Sequence, residues 1–358
     1  MARALQLAER GRYSTHPNPR VGCVLVNNGQ TVGEGWHRRA GEPHAEVNAL
    51  RQAGEAARGA TVYVTLEPCC HHGRTPPCSQ ALVDAGVARV VAAMRDPNPR
   101  VDGGGLEQIR SAGIVVESGL LEIQARRLNR GFISRMERGR PYLRIKSAAS
   151  LDGRTAMASG ESQWVTGADA RREVHRMRAE SAAVLTGSGT VLADDPSMNV
   201  RLQRADLAGL DDDLPMPTPV RVVLDSRLRV PPGARMLGLP GQTLIYSRLA
   251  GERPGAEVTV VGAVDGGLDL SAVLTDLGKR EINEVLVEAG PTLAGALLAA
   301  GLADELVLFL APHLMGDDAR GLFHLPGIAR MDQRVSLTID DIRCVGADWR
   351  ITALPART

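Results

Sequence analysis

The apolar residues of the first half fall into short alternating runs separated by helical ones. Ala4, Leu5, Leu7 and Ala8 share one helix face, which ends at Gly11. Residues 21–26 and 31–36 read as a strand hairpin, with Asn27, Asn28 and Gly29 supplying the turn. A helix over 44–53 is entered from Gly41, Glu42 and Pro43. Residues 61–67 are β-branched and alternating, and they deliver the chain to Pro68, Cys69 and Cys70. A polar loop leads to a helix over 78–85, closed by Gly86, and then to a strand over 87–94. After the turn cluster 96–105 come a helix and a strand over 114–117. Strands alternating with helices at this spacing predict an α/β sandwich.

At MERGRP (136–141) the pattern resets, which puts a domain boundary near residue 140. Beyond it the spacing predicts strands over 142–148, 182–186, 220–225, 242–246 and 305–310, and helices over 169–180 and 270–277. A strand over 284–288 runs through Ala289 and Gly290 into a helix over 291–300. This half is also α/β, with longer irregular connections, and the acidic run 211–213 reads as a solvated loop. The expected domains are 1–140 and 141–358, and a length of 358 residues suits two.

Composition narrows the function. Lys+Arg number 42 against 41 Asp+Glu, and aromatics are 3% of the chain, so neither a basic groove nor a base-stacking platform is indicated. Nucleic acid is therefore not an expected partner. The N-terminus lacks the apolar core of a signal peptide, and the longest uncharged run, 289–303, is too short and too broken by Gly and Pro to span a bilayer. A soluble, cytoplasmic protein without membrane contact is expected. Of five Cys, Cys69, Cys70 and Cys78 lie within ten residues, which points to metal or catalysis and away from a disulfide framework.

The chemistry concentrates on His44-Ala45-Glu46, Pro68-Cys69 and Cys78. Zinc-dependent nucleobase deaminases need one imidazole and two thiolates on Zn²⁺, an open position for water, and a Glu that moves protons without ligating. His44, Cys69 and Cys78 would be the ligands and Glu46 the proton carrier, with the helix start at Cys78 favouring its thiolate. Eight residues rather than two separate the cysteines. The insert brings His71, His72 and Arg74 towards the site, and Cys70 is a competing ligand. Cys23 and Cys344 sit in apolar strands and read as core. His16, His37, His175, His313 and His324 have no comparable partners nearby in sequence.

HPNPRVGCV (16–24), GEPHAEVNAL (41–50), TLEPCCHHGRTPPC (65–78) and DPNPRVDGGG (96–105) resemble the deaminase half of the bifunctional deaminase/reductase family of riboflavin biosynthesis. KSAASLDGRTAMASGESQW (146–164), TVLADDPSMNVR (190–201), LDS (224–226) and VEAGPTLAGALL (287–298) resemble its reductase half, in the family's order. The resemblance implies a cytidine-deaminase-like αβα domain followed by a dihydrofolate-reductase-like α/β domain. It implies hydrolytic loss of the 2-amino group from a diaminopyrimidinone ribosylamine phosphate, then reduction of the ribosyl chain to ribityl by NADPH. One Zn²⁺ would serve the first step.

By position, Ala148, Trp164, Thr190, Asp194, Ser226 and the turn Gly290, Pro291, Thr292, Leu293, Ala294, Gly295, Ala296 would contact NADPH. Ser162, Arg178, Met198, Arg201 and Glu288 would contact this small phosphorylated pyrimidine. The residues support some of these directly. Strand, Gly290, then a helix start aims free N–H groups at a pyrophosphate. Arg178 and Arg201 suit the 5′-phosphate, Ser226 and Arg227 the cofactor's 2′-phosphate, and Met198 offers polar contact only through its backbone. Lys146, Asp194 and Glu288 are the candidate proton donors for the reduction, and the sequence does not choose among them. Two rivals remain at this stage: a nucleotide or tRNA deaminase with an accessory binding domain, and a module in which zinc is only structural. Homo-oligomerisation is left open.

Overall fold

The computed structural model describes residues 1–70, 77–264 and 266–356. The chain forms two compact units, Met1–Gly139 with Leu207–Met216, and Arg140–Asp206 with Pro217–Thr358.

In the first unit the elements are α1 (Ala2–Glu9), β1 (Gly22–Asn27), β2 (Gln30–Trp36), α2 (Ala45–Ala53), β3 (Thr61–Val64), α3 (Cys78–Asp84), β4 (Arg89–Ala92), α4 (Gly104–Ser111), β5 (Val115–Ser118), α5 (Glu122–Leu128) and α6 (Arg130–Arg138). Among the described residues they build a five-stranded sheet ordered β2-β1-β3-β4-β5, antiparallel at the first two pairings and parallel at the last two. Strand alternation sends Cys23, Leu25, Val62, Val64, Val90 and Ala92 to one face, against Ala45 and Ala49 of α2, Leu82 of α3 and Leu106 and Ile109 of α4. Beyond the strand ends, Leu66 and Met94 pack with Ala125 and Ile133.

Glycines on β2 bring α2 unusually close to the sheet. A Cβ on Gly33 would stand 2.3 Å from the Ala49 carbonyl oxygen, and one on Gly35 2.2 Å from that of Ala45. Strand backbone thus meets helix backbone directly, which fixes the height of His44 and Glu46 above the sheet.

Residues 211–213 are not simply solvated. Arg38 reaches Asp211 at 3.1 Å and Asp213 at 2.6 Å, and Arg10 reaches Asp211 at 3.0 Å. Both guanidinium groups lie over Trp36, at 4.8 Å for Arg10 and 5.9 Å for Arg38. Leu207, Leu210 and Leu214 of the same stretch are buried.

The second unit contains β6 (Tyr142–Ser150), β7 (Arg154–Ala156), α7 (Ala168–Glu180), β8 (Ala183–Gly187), α8 (Ser188–Asp194), β9 (Val220–Leu224), β10 (Thr243–Ser247), β11 (Glu257–Val260), β12 (Ala263–Val264), β13 (Gly267–Leu268), α9 (Leu270–Lys279), β14 (Glu284–Val287), α10 (Pro291–Ala299), β15 (Glu305–Ala311), β16 (Arg320–Gly321), β17 (Leu337–Val345) and β18 (Asp348–Pro355). Its main sheet is ordered β11-β10-β9-β8-β14-β6-β15-β18-β17. Pairing is parallel from β11 to β15 and antiparallel across β18 and β17. The central strands are buried on both faces, so they read as continuous Val/Ile/Leu runs. One face packs on α9 and α10 through Val273, Leu277, Ala294 and Leu297. The other face packs on α7 through Ala170, Val174 and Met177. The C-terminal ends of β8, β14 and β6 form the crevice in which parallel sheets bind ligands.

Cys344 departs from its expected place. It lies on β17, whose side chains are mostly solvent-exposed, and it is exposed rather than core, while Cys23 is buried.

Candidate active sites

In the first unit His44 caps the start of α2 in extended conformation, which leaves its imidazole outside the helix and puts Glu46 in the first turn. Cys69 follows the end of β3, and Cys78 is the first residue of α3. The donor atoms of His44, Cys69 and Cys78 all lie within 4.8 Å of one another. His44 Nδ1 is 3.2 Å from Cys78 Sγ and 3.6 Å from Cys69 Sγ. Tetrahedral zinc with nitrogen at about 2.0 Å and sulfur at about 2.3 Å separates such donors by about 3.6 Å, so the set fits that metal with one position left over. Cys70 is outside the cluster; its thiol faces the carbonyls of Arg100 and Val101. The insert residues His71, His72 and Arg74 lie outside the described residues.

The thiols divide the charge unequally. The α3 start gives the Cys78 N–H to Cys69 Sγ at 3.4 Å, so the helix end serves Cys69 and not, as expected, Cys78 itself. The Cys78 thiol, His44 and that N–H hold Cys69 down to about 4, against burial. Facing that thiolate, and buried near Glu46, the Cys78 thiol is pushed up. Glu46 is 3% exposed, and burial raises its carboxyl to about 7 against the pull of His44. A carboxyl poised near neutrality beside a metal-ligand set suits proton transfer.

Two supporting residues have no local sequence signal. His37 is buried edge-on to His44, with ring centroids 5.3 Å apart, and burial lowers it to about 4. As a neutral ring it donates from Nδ1 to the Pro43 carbonyl and accepts at Nε2 from Asn18. Glu67, two residues before Cys69, is also buried. Its carboxylate accepts the N–H groups of Asp96, Gly103, Gly105 and Leu106 at 3.0–3.2 Å, fastening the 96–106 segment to the end of β3.

In the second unit most of the expected residues lie at or after the C-terminal ends of the parallel strands. Ala148 is near the C-terminal end of β6, and Ser162 and Trp164 follow β7. Thr190 and Asp194 are on α8, Ser226 follows β9, and Glu288 follows β14. Gly290 caps α10, whose Thr292 and Leu293 N–H groups precede the first intrahelical bond, Ala294 N to Gly290 O. This helix start, with Gly290 and Thr292 exposed, fits a dinucleotide pyrophosphate. Gly295 has a packing reason of its own, since a Cβ there would stand 2.0 Å from the His324 carbonyl oxygen. The Met198 side chain is buried with Val184, Val191 and Val223, leaving its backbone for contact.

Arg178 and Glu288 meet each other. Arg178 Nε and Nη2 donate to the two Glu288 oxygens at 2.5 and 2.9 Å, and Nη1 to the Asn199 carbonyl at 2.9 Å. Burial alone would raise the Glu288 carboxyl, but Arg178 and then Lys146 hold it down to about 2. Lys146 is itself lowered by burial and by Arg178. His175 had no partner in sequence, yet it lies against Arg201. Helical spacing of three puts it on the Arg178 side of α7.

A His/Cys₂ zinc site with a buried Glu in one α/β unit, and a mainly parallel sheet with an open helix start in the other, define a zinc-dependent deaminase joined to an NADPH-dependent reductase. The family descriptions agree, "Cytidine and deoxycytidylate deaminase zinc-binding region" matching residues 1–94 and "RibD C-terminal domain" residues 141–351. The chain belongs to the RibD family of riboflavin biosynthesis proteins. It is 55% identical to the riboflavin biosynthesis protein RibD of Escherichia coli K12, over 97% of this chain and 96% of that one. Acinetobacter baumannii RibD, a solved structure, superposes with a TM-score of 0.90 at 46% identity, covering 99% of this chain and 97% of that one. The Thermotoga maritima diaminohydroxyphosphoribosylaminopyrimidine deaminase/5-amino-6-(5-phosphoribosylamino)uracil reductase superposes at 0.87 with 32% identity over the same shares. No helix among the described residues is long and apolar enough to cross a membrane.

Proposed function

We propose that residues 1–140 hydrolyse the 2-amino group from a diaminopyrimidinone ribosylamine phosphate, and that residues 141–358 reduce its ribosyl chain to ribityl with NADPH. The His44, Cys69 and Cys78 cluster with Glu46 in the adjoining helix turn carries this reading. His44, Cys69 and Cys78 would hold the zinc, which would supply Lewis acidity to the attacking water. Glu46 would carry two protons in turn, the first from the attacking water to the ring nitrogen and the second from the newly added hydroxyl to the amino group as it leaves as ammonia. The burial of Glu46 leaves bulk water no competing access to those protons. His37 and the Cys78 N–H hold His44 and Cys69 in place.

In the second unit NADPH supplies a hydride to C1′ of the opened sugar. The α10 start would hold its pyrophosphate, and Ala148, Trp164, Thr190, Asp194 and Ser226 would contact the rest. Ser162, Met198, Arg201 and the Arg178–Glu288 pair surround the pyrimidine and its chain. Lys146, half-buried and within electrostatic reach of Glu288, would hand a proton to the ring-opening oxygen. The near-zero net charge and few aromatics support a small-molecule substrate and not nucleic acid. The test is incubation with the diaminopyrimidinone substrate, with and without NADPH. Ammonia release without NADPH, and NADPH oxidation only by the deaminated product, are expected; NADPH oxidation without prior deamination would refute the order.

A further inference from the structure

The loop preceding β1 is gripped by α5 and α6 of the first unit. Asn129 stands at the break between these two helices, and its side chain is buried. Its Oδ1 accepts the Arg20 N–H at 2.8 Å, while its Nδ2 donates to the Arg20 carbonyl at 2.9 Å. One side-chain amide thus satisfies both polar groups of a backbone residue, the pairing that one strand residue makes with another. Arg20 returns the contact, donating from Nη1 to the Leu128 carbonyl at 3.2 Å, and Arg135 of α6 donates to the Pro17 carbonyl at 3.4 Å. Residues 17 and 20 are therefore tied to the same helix pair, on either side of Asn18.

Asn18 reaches the zinc site through His37. Its Nδ2 lies 3.0 Å from His37 Nε2, and His37 Nδ1 lies 3.2 Å from the carbonyl of Pro43, the residue before His44. A carbonyl only accepts, so the neutral ring carries its proton on Nδ1, and Nε2 takes the Asn18 amide as its donor. The ring is tethered at two points, which fixes its plane against His44. Without Asn18 a single tether remains, and the ring can turn about it.

We infer that Asn129 is a positioning residue for the zinc-dependent step: by fixing the backbone around Asn18 it keeps that amide on His37, and so keeps His37 in one orientation against His44. Outer partners of this kind orient a metal ligand without touching the metal. The inference rests on the deaminase reading of the first unit. It adds a residue without a sequence signal, since the partner of Asn129 is a stretch of backbone 109 positions away.

Ammonia release by the zinc-loaded full chain tests it. Asn129→Ala is expected to lower kcat about tenfold with zinc content unchanged and KM within about twofold. In an Asn18→Ala background the same change should cost less than about twofold more, because both substitutions act through one contact. A full tenfold loss there would overturn the inference, since Asn129 would then act by another route. A second measurement needs no turnover. In ¹⁵N spectra of the zinc-loaded, histidine-labelled chain, Asn129→Ala should move the His37 Nε2 resonance to where Asn18→Ala puts it. An Nε2 resonance left unmoved overturns the inference, whether or not ammonia is released. If the resonance moves as expected but the wild type releases no ammonia, the deaminase reading alone fails. Asn129→Asp keeps the acceptor for the Arg20 N–H and loses the donor; it should lie between wild type and alanine, and it carries both comparisons if the alanine variant does not fold.

Discussion

Replacing Glu67 with alanine asks whether a buried carboxylate holds the zinc-binding segment in place. In the native protein the side chain is 3% exposed and accepts four backbone N–H groups, at 3.1, 3.1, 3.0 and 3.2 Å. Alanine leaves all four donors without their acceptor. Each unsatisfied buried donor costs about 1–3 kcal/mol, and water entering the vacated volume can serve about half of them. A loss of about 4 kcal/mol follows, a large share of the roughly 5–15 kcal/mol that stabilises an ordinary domain. Glu67→Gln keeps one oxygen but turns an NH₂ towards two of the donors, so about half that loss is expected. Urea unfolding of the full zinc-loaded chain, followed by Trp36 emission in a Trp164→Phe, Trp349→Phe background, reads the first unit. Zinc retention against a chromogenic chelator reads the neighbouring ligand Cys69, and it should fall in the same order. A Glu67→Ala protein within about 0.5 kcal/mol of wild type, the ordinary range of a surface substitution, would refute the clamp.

Three further outcomes are expected. Glu46→Gln should retain zinc by metal analysis and lose ammonia release by at least about 10²-fold; retained activity would remove Glu46 from the chemistry. Gly35→Ala forces a Cβ to 2.2 Å from the Ala45 carbonyl oxygen, so α2 must lift; deaminase turnover should collapse while NADPH oxidation on the deaminated product persists. The Glu288 carboxyl lies at about 2, below its ordinary 4.5, so its contribution is fully present above about pH 4.5 and is lost as pH falls through about 2. Arg178→Met should remove up to about 3 kcal/mol of it and flatten the acid limb of the second unit's stability profile, measured by urea unfolding between pH 6 and pH 3.

The central strands were legible because burial on both faces leaves near-continuous apolar runs, as in 220–224 and 284–287. The β17–β18 hairpin was not, since β17 is mostly exposed and has no buried face for alternation to reveal; the same exposure explains the misplacement of Cys344. The short helix α8 begins Ser-Gly-Thr without a side-chain cap, a weak helix signal. At the zinc site the ligands and Glu46 could be picked out because metal chemistry fixes residue types. Glu67 could not, because its partners are backbone N–H groups, which every residue but proline carries. His37 and His175 meet partners brought together only by folding. The acidic run 211–213 looked solvated because Arg10 and Arg38 lie some 170 to 200 positions away in sequence.

That last segment bears on how the two catalysts could ever be separated. A gene cut at residue 140 would encode a deaminase unit without Leu207, Leu210 and Leu214, and with Arg10 and Arg38 stripped of their carboxylates. A stand-alone version would have to rebuild that patch, by a grafted loop or by new residues around Trp36. Once fused, the two activities are therefore harder to part than a single peptide bond suggests.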